Sequence, residues 1–182
     1  MNAGSESSIR LYTIGHSTRS FDDFLSLLKQ FGIQTLTDIR SRPGSRKFPH
    51  FDRENLEKVL PEHGVDYVWI PKLGGLRRDG KGSVSRNTGL TSPGFRNYAD
   101  HMEEAEFKEG VSELLAIAVR SPTAYMCAEA LWWRCHRRLL SDYLVAHGLE
   151  VFHIVDTRSF HPHKITEGAV VSPEGNVLYP PA

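Results

Sequence analysis

The feature that most constrains the fold of this chain is the regular alternation of strand-like runs with helical stripes. Residues 9–14 (IRLYTI) are rich in β-branched and aromatic side chains and stop at Gly15. Ser20 and Asp23 then have the spacing of a capping box and begin a helical stripe that ends at Gly32. The apolar members of that stripe are Phe21, Phe24, Leu25, Leu28 and Phe31. A strand followed by an amphipathic helix is the repeating unit of a parallel sheet.

The same alternation continues along the chain. Further strands are predicted at residues 35–39 (TLTDI), 66–70 (DYVWI), 123–127 (TAYMC) and 151–155 (VFHIV). Further helices are predicted over residues 54–63, 92–102, 106–119 and 131–147. Because each helix must bury its stripe on a sheet face, we predict an α/β fold, a three-layer sandwich with a mostly parallel sheet of about five strands. The sequence VVSPEGNVLY predicts a C-terminal β-hairpin.

Length and composition indicate how the chain is organised. A chain of 182 residues, 40% of them hydrophobic, suits one domain. We expect a disordered start at residues 1–8, an α/β domain at 9–156, and a C-terminal extension at 157–182 packed on that domain. The chain has no apolar run near the roughly 20 residues of a membrane helix, and its start lacks the pattern of a secretion signal. With only two cysteines, the expected location is the cytoplasm.

The net charge is zero, but the charge is unevenly distributed. Residues 38–53 and 72–96 together hold 11 basic and three acidic residues, so they carry a net charge of +8 and the rest of the chain carries −8. Both basic segments follow predicted parallel strands and leave from the carboxyl edge of the sheet, where open α/β folds bind ligands. An anionic ligand is the inference; the alternative is a solvated surface whose charges pair with the acidic helices.

Chemically useful side chains follow the predicted strands at this same edge. His16 follows the first strand, and Arg40 and Arg42 follow the second. Cys127 ends the fourth strand, and Glu129 comes two residues later. The position of Cys127 before a helix favours its thiolate, and Glu129 or His16 would exchange protons. The arginines would hold an anion, so we predict catalytic and anion-binding groups in one crevice.

The predicted helix at residues 131–147 adds three candidates. His136 lies in line with the apolar face and points inward, where a histidine is also commonly a hydrogen-bonded core residue. Arg137 shares another face with Arg134 and Arg138, so all three are expected to meet solvent or a partner, and Arg137 is a further candidate for anion binding. Cys135 is close enough in sequence to Cys127 for a redox pair, although both sulfurs are equally explained as small apolar side chains.

Several common chemistries lack their motif in this chain. Neither GxxxxGK[ST] nor GxGxxG occurs, which excludes the phosphate-binding loop and the dinucleotide fingerprint. The arginine that a cysteine phosphatase needs six residues after its nucleophile is Trp133 here. No metal site is predicted, because neighbouring helical residues such as Cys135 and His136 diverge by about 100°. A site made of Cys127, His136 and His16 stays an alternative, and no cofactor is identified.

Five short segments together resemble a known family. They are TIGHS at 13–17, DIRSRP at 38–43, LGG at 73–75, MCAE at 126–129 and CHRR at 135–138. With the strand VFHIV they are similar to the domain of unknown function 488 family over residues 11–155. The resemblance implies an α/β fold but no assigned reaction. It also implies a shared site at the matching positions His16, Arg40, Cys127, Glu129, Cys135, His136 and Arg137.

One departure from the family pattern lies between MCAE and CHRR. Family members often have a proline there, whereas this chain has Leu131, Trp132 and Trp133. The paired tryptophans would either extend the following helix or form an aromatic wall beside the site.

Three functional hypotheses follow from these residues. The first is an enzyme that acts on an anionic, phosphate-bearing or nucleotide-like small molecule at the carboxyl edge of the sheet. The second is a non-catalytic nucleic-acid-binding module whose basic loops contact phosphates. Its stacking residues would be Phe48, Tyr67, Trp69 or Trp132. The third is a redox sensor that uses Cys127 and Cys135. The first is preferred because chemically different groups converge on one crevice.

Overall fold

The computed structural model describes residues 9–77 and 85–181, and its main element is a twisted six-stranded sheet. The strands are β1 (Arg10–Gly15), β2 (Thr35–Asp38), β3 (Asp66–Trp69), β4 (Thr123–Cys127), β5 (Glu150–Ile154) and β6 (Phe160–Pro162). Their order across the sheet is β3-β2-β4-β1-β5-β6. The first five pair in parallel, and β6 pairs antiparallel with β5. The predicted α/β fold with a mostly parallel sheet is confirmed.

Within the described residues, five α-helices connect these strands. They are α1 (Phe21–Gln30), α2 (Arg53–Glu62), α3 (Pro93–His101), α4 (Ala105–Ala118) and α5 (Arg137–Ala146). Ser20 caps α1, because the backbone N–H of Asp23 donates to its Oγ at 3.1 Å. Gly32 follows α1 with a φ of 64°, a left-handed conformation that glycine adopts without strain. No helix within residues 9–77 and 85–181 is long and apolar enough to cross a membrane.

The helices cover both faces of the sheet. Side chains of α1 and α2 form one apolar cluster with the sheet, which includes Phe24, Leu28, Leu56, Ile14 and Met126. Side chains of α3, α4 and α5 form a second cluster on the other face, which includes Tyr98, Phe107, Leu139, Leu11 and Tyr125. Successive residues of a strand point to opposite faces, so β1 and β4 contribute to both clusters. The predicted three-layer arrangement is therefore confirmed.

The structure corrects the predicted helix over residues 131–147. Trp132–Arg134 forms a 3₁₀ turn, and α5 begins only at Arg137. The ring of Trp132 stacks on the imidazole of His153 in β5, with ring centroids 3.9 Å apart. This contact holds the tryptophan against the sheet instead of in line with α5, so the paired tryptophans do not extend the helix.

The C-terminal part of the chain adds β6 and a hairpin. The hairpin of β7 (Val170–Val171) and β8 (Val177–Leu178) confirms the predicted one. Strand β6 was not predicted, because three exposed residues that end in proline show no alternation and fit only at a sheet edge.

Contacts of this C-terminal part reach the helical layer. Tyr179 is buried, and its hydroxyl donates to Asp142 of α5 at 2.7 Å. Val177 is buried in the same cluster as α3, α4 and α5. These contacts support the predicted division into a domain at 9–156 and a packed extension at 157–182, which stays a prediction. The predicted disordered start at residues 1–8 lies outside the described residues.

Candidate functional site

The candidate site lies where β1 and β4 are neighbours at the carboxyl edge of the sheet. The chain leaves β1 toward α1 on one face and leaves β4 toward α5 on the other. Such a switch point opens a crevice between the two strands. Two adjoining pockets of about 700 and 430 Å³ lie here and share Arg40, Arg42, Ala128 and Glu129. We call them together the edge cleft.

Close backbone contacts join the ends of the two central strands. The N–H of His16 donates to the carbonyl of Cys127 at 3.0 Å, and the N–H of Ser17 donates to the carbonyl of Ala128 at 2.9 Å. A Cβ atom at position 15 would overlap the carbonyl of Glu129, so only glycine allows this approach. The segment after β4 is therefore held tightly across the end of β1.

His16 is buried in the smaller pocket of the edge cleft. Its Nδ1 donates to the carbonyl of Ser17 at 3.0 Å, and its Nε2 accepts from Nη1 of Arg40 at 3.3 Å. The ring stacks on Phe51, with ring centroids 4.3 Å apart. Burial lowers the pKa of His16 to about 4. The imidazole is therefore neutral near pH 7, with both nitrogens engaged.

Arg40 lies in the wall of the edge cleft, where a carboxylate already holds it. Its Nε donates to both oxygens of Asp38 at 2.9 and 3.0 Å, and its Nη2 donates to the carbonyl of Phe51 at 2.7 Å. Asp38 is fully buried and also accepts from the Tyr67 hydroxyl at 2.6 Å. Most donors of this guanidinium are thus satisfied by the protein, which limits what Arg40 can offer to an anion.

Three sulfur and nitrogen donors meet on the floor of the larger pocket. The Sγ of Cys135 lies 3.6 Å from Nδ1 of His136, and the Sγ of Cys127 lies 3.9 Å from the same nitrogen. All three atoms lie within 4.8 Å of one another, and we call them the sulfur-imidazole cluster. The side chains of Cys135 and His136 were expected to diverge as neighbours on one helix, and this expectation is wrong. Both residues precede α5, so they do not share its helical geometry.

His136 points inward, as predicted, and is buried. Its Nε2 donates to the backbone carbonyl of Ile39 at 3.2 Å, which leaves Nδ1 facing the two sulfurs. The backbone of Gly75 packs directly on the ring, because a Cβ there would overlap the imidazole. The loop after β3 and the end of β2 therefore fix the orientation of this histidine.

The two thiols have opposite acidities. Cys127 donates its S–H to Cys135, and this hydrogen bond together with burial raises the pKa of Cys127 well above its usual value. Burial opposes ionisation of Cys135, but the hydrogen bond from Cys127 and the nearby positive charge of Arg137 lower its pKa well below the usual range. Cys135, rather than Cys127, lies just before a helix N-terminus. These directions favour ionisation of Cys135 over ionisation of the predicted Cys127.

Arg137 is buried, with 1% of its surface exposed, so the prediction that it meets solvent or a partner is wrong. Its Nη2 donates to the carbonyls of Glu129 and Ala130, and its Nη1 donates to the Thr13 hydroxyl at 3.4 Å. Its Nε has no partner among the described residues. The segment between β4 and the 3₁₀ turn folds back over this guanidinium, which turns a helix-face residue into a buried cation behind the cluster.

A chain of buried hydrogen bonds continues from Arg137 to Asp142. The Thr13 hydroxyl donates to Nδ1 of His153 at 2.7 Å, and Nε2 of His153 donates to Nδ1 of His163 at 2.9 Å. Nε2 of His163 then donates to Asp142 at 2.8 Å. The guanidinium can only donate and the carboxylate can only accept, so every proton in this chain points the same way. We call these five residues the buried relay.

Sequence reasoning did not find the buried relay. His163 lies in the C-terminal extension, and it is only 7% exposed. One signal was available in the sequence. His153 lies two residues after the buried Val151 in β5, so both side chains point to the same, buried face of the sheet. Nothing in the sequence indicated that a histidine in the C-terminal extension would be its partner.

The rim of the edge cleft carries the exposed charges. Glu129 is exposed, and its Oε1 accepts the N–H of Leu131 at 3.1 Å. Arg42 and Arg134 are exposed, line the larger pocket and make no ion pair within the described part of the chain. Arg134 was predicted to meet solvent or a partner, and its place in the 3₁₀ turn brings it to the cleft.

Many other basic residues near this edge pair with carboxylates. Lys72 lies 3.4 Å from Glu109, and Arg77 lies 2.9 Å from Glu106. Arg86 and Arg53 form ion pairs with Glu103 and Glu57. The alternative in which basic loops pair with acidic helices is therefore correct for these four residues, whereas Arg42 and Arg134 at the rim have no such partner within the described residues.

Comparison with known proteins gives a family and no activity. No curated protein and no solved structure matches the chain. The family model described as "Domain of unknown function DUF488" matches residues 20–144. This range contains the sulfur-imidazole cluster, Arg40, Glu129 and Arg137, whereas His16 lies before it. Because the match spans more than half of the chain, the protein belongs to the DUF488 family.

Proposed function

We propose that the protein is an enzyme that acts on an anionic small molecule bound in the edge cleft. The observation that carries the proposal is the convergence of the half-buried Cys127 thiol, the buried Cys135 thiol and His136 with the exposed Glu129 on one cleft. Two arginines at the rim, Arg42 and Arg134, make no ion pair within the described residues and are free to contact an anion. Groups of different chemistry that meet in one concave site are typical of catalysis.

Each predicted site residue has a definite part in this proposal. Cys127, Cys135 and His136 form the reactive centre, and Glu129 exchanges protons with the ligand. Arg42 and Arg134 hold the anionic group. His16 and Arg40 have most of their polar atoms engaged with the protein, so they shape the cleft wall instead of taking part in proton transfer. Arg137 acts from behind the centre through its charge.

The geometry favours a small ligand over a nucleic acid. Three of the four residues suggested for base stacking already have partners: Trp132 stacks on His153, the Trp69 ring lies against Arg53, and the Tyr67 hydroxyl bonds to Asp38. Several basic side chains that would form a phosphate footprint pair with acidic helices. A nucleic-acid-binding surface needs both features to be open to solvent.

One observation supports redox sensing as a second candidate function. The two sulfurs lie within 4.8 Å of each other, and the pair combines a thiol with a thiolate, which is the arrangement that thiol oxidation uses. A sensor would form an intramolecular disulfide under mild oxidant. Intact-mass measurement under oxidising and reducing conditions detects this as a loss of two hydrogens, and an unchanged mass removes the candidate.

A thermal-shift screen tests the proposed enzyme at its ligand site. Inorganic phosphate, nucleotides and sugar phosphates are added to the wild-type protein and to Arg42→Ala and Arg134→Ala. We expect at least one anion to raise the Tm of the wild type, and the rise to shrink in both variants, because ligand binding stabilises only the folded state. The hits are then tested for turnover, which we expect Glu129→Gln and Cys135→Ser to abolish.

Arg46→Ala is the matched control for this screen. Arg46 is exposed and belongs to the same basic segment as Arg42, but it does not line the edge cleft. Its replacement should leave the ligand-induced rise in Tm unchanged. A rise that is equal in all three arginine variants, or turnover that survives both Glu129→Gln and Cys135→Ser, would contradict the proposal.

A further inference from the structure

The sulfur-imidazole cluster has the donor set of a zinc site. Two cysteine sulfurs and one imidazole nitrogen are the ligands that Zn²⁺ prefers in proteins. Cys135 and His136 are buried, and Cys127 ends a central strand at the cleft floor. Zn²⁺ is the divalent ion whose preferences these three donors match, because carboxylate-seeking ions such as Mg²⁺ and Ca²⁺ bind oxygen.

The spacing of the donors matches tetrahedral coordination. With zinc–sulfur and zinc–nitrogen bonds of about 2.3 and 2.1 Å, a tetrahedral angle places sulfur and nitrogen about 3.6 Å apart. The distances from Nδ1 of His136 to the sulfurs of Cys135 and Cys127 are 3.6 and 3.9 Å. Both sulfur–nitrogen distances are therefore within a few tenths of an ångström of the tetrahedral value, and the two sulfurs lie within 4.8 Å of each other.

The histidine is already oriented for coordination. Its Nε2 donates to the carbonyl of Ile39 at 3.2 Å, so the Nδ1 lone pair faces the sulfurs. Most metal-binding histidines have such a hydrogen bond, in which the ring nitrogen that does not bind the metal donates to a carbonyl or carboxylate. The backbone of Gly75 packs on the ring and prevents it from turning away.

The fourth position of such an ion faces the edge cleft. Among the described residues, no fourth cysteine, histidine or carboxylate joins the cluster. Structural zinc sites have four protein ligands, whereas catalytic sites keep one position for water or substrate. The cluster lines a pocket of about 700 Å³ together with Glu129 and Arg134. An anion held by the rim arginines can therefore reach the open position.

From these observations we infer that Cys127, Cys135 and His136 bind one Zn²⁺ ion, with an exchangeable position open to the edge cleft. The inference deepens the proposed function and rests on it for the use of that position. The bound ion would act on the anionic substrate or on a water beside Glu129. Metal binding itself is measured without any substrate.

The test measures metal stoichiometry and ligand identity in the full chain. The protein is stripped with a chelator, reloaded with Zn²⁺ or Co²⁺ and dialysed. We expect one metal per chain, and with Co²⁺ the thiolate-to-cobalt charge-transfer band and the visible bands of a tetrahedral site. Cys127→Ser, Cys135→Ser and His136→Asn should each weaken binding more than about 100-fold, since loss of a supporting contact alone costs 10–100-fold.

A second group of possible metal ligands provides the control. His101, Glu104 and Glu106 also lie close enough together to hold an ion, and both glutamates are exposed. The double variant Glu104→Gln and Glu106→Gln should keep full metal content and the full cobalt spectrum. Metal lost in this control and retained in the three cluster variants would overturn the inference.

A further measurement covers the case in which a cluster variant does not fold. Zn²⁺ added to the stripped wild type should raise its Tm and protect both thiols from alkylation, which intact mass counts directly. No bound metal and no protection in the folded wild type would overturn the inference. If the protein binds metal but turns over none of the anions, only the proposed enzyme is contradicted. If it turns over an anion and a chelator leaves that turnover unchanged, only the zinc site is contradicted.

Discussion

At the scale of single residues, the site depends on how closely backbones and side chains approach. Cys127 and Cys135 are chemically identical in the sequence, but their neighbours give them opposite pKa shifts. Arg42 and Arg40 are both arginines after β2, yet one is exposed at the rim and the other is bound to a buried aspartate. Residue type therefore selects the candidate side chains, and only the packing around each one decides whether its charge or polar atoms are open to a ligand.

Gly15→Ala tests the close approach of β1 to the segment after β4. The new Cβ would overlap the carbonyl of Glu129, which cannot move away without breaking the adjacent ladder. We expect the free energy of unfolding to fall by about 1–3 kcal/mol, as for overpacked sites. Urea denaturation of the wild type and the variant measures this.

Gly44→Ala is the matched control for that substitution. A Cβ at position 44 would meet only Asp52 Oδ1, at 4.0 Å, and its φ is not left-handed. Its unfolding midpoint should be equal to or slightly above that of the wild type, since alanine restricts the unfolded chain. Equal destabilisation by the two substitutions would remove the steric explanation.

At the scale of elements, the buried relay connects β1, β5, α5 and the C-terminal extension. Asp142 of α5 accepts hydrogen bonds from His163, Thr166 and Tyr179. The helix is thereby attached to the segment after β6, and the relay reaches Arg137 in its first turn. The predicted helix begins earlier than α5 because the apolar stripe continues toward lower residue numbers. In the structure, Trp132 stacks on His153, and the residues before Arg137 do not join the helix.

Asp142→Asn tests the relay as a structural link. The amide keeps one acceptor oxygen but loses the negative charge that accepts four hydrogen bonds, from three residues, in a buried site. We expect the free energy of unfolding to fall by about 3 kcal/mol, because breaking a buried charged network costs more than the loss of a surface pair. Denaturant unfolding followed by circular dichroism gives the value.

Asp22→Asn serves as the comparison on an exposed first turn. Asp22 is exposed in α1 and takes part only in the weak interaction of a carboxylate with the helix dipole. Its cost should stay below about 1 kcal/mol. If Asp142→Asn costs no more than Asp22→Asn, the relay does not hold α5 to the C-terminal extension.

At the scale of the whole molecule, two buried neutral histidines make stability depend on pH. Burial lowers the pKa of His153 to about 2 and that of His16 to about 4, both far below the ordinary value of 6.5. Below pH 6.5 both histidines bind a proton in the unfolded chain, whereas they stay neutral in the folded chain until the pH approaches their lowered pKa values. Acid therefore favours unfolding. This contribution is complete above pH 6.5 and is lost as the pH falls.

The pH dependence has a measurable slope. Between pH 6 and 4.5, each such histidine should remove up to about 1.4 kcal/mol of unfolding free energy per pH unit. His153→Asn should reduce the slope of the wild type, because one of these groups is gone. His63→Asn replaces an exposed histidine and should leave the slope unchanged. A slope that is identical in all three proteins would contradict the assignment.

The sequence by itself determined the layered α/β architecture and placed most of the candidate residues at the carboxyl edge of the sheet. These follow from local rules, since strand and helix periodicity and the common direction of parallel strands need no long-range contact. Only the tertiary structure decided that Arg137 is buried, that Cys135 lies at the helix start, and that His153 and His163 join one relay. Those outcomes depend on contacts between residues far apart in the chain, where the segment between β4 and α5 packs against β5 and ends the helical pattern.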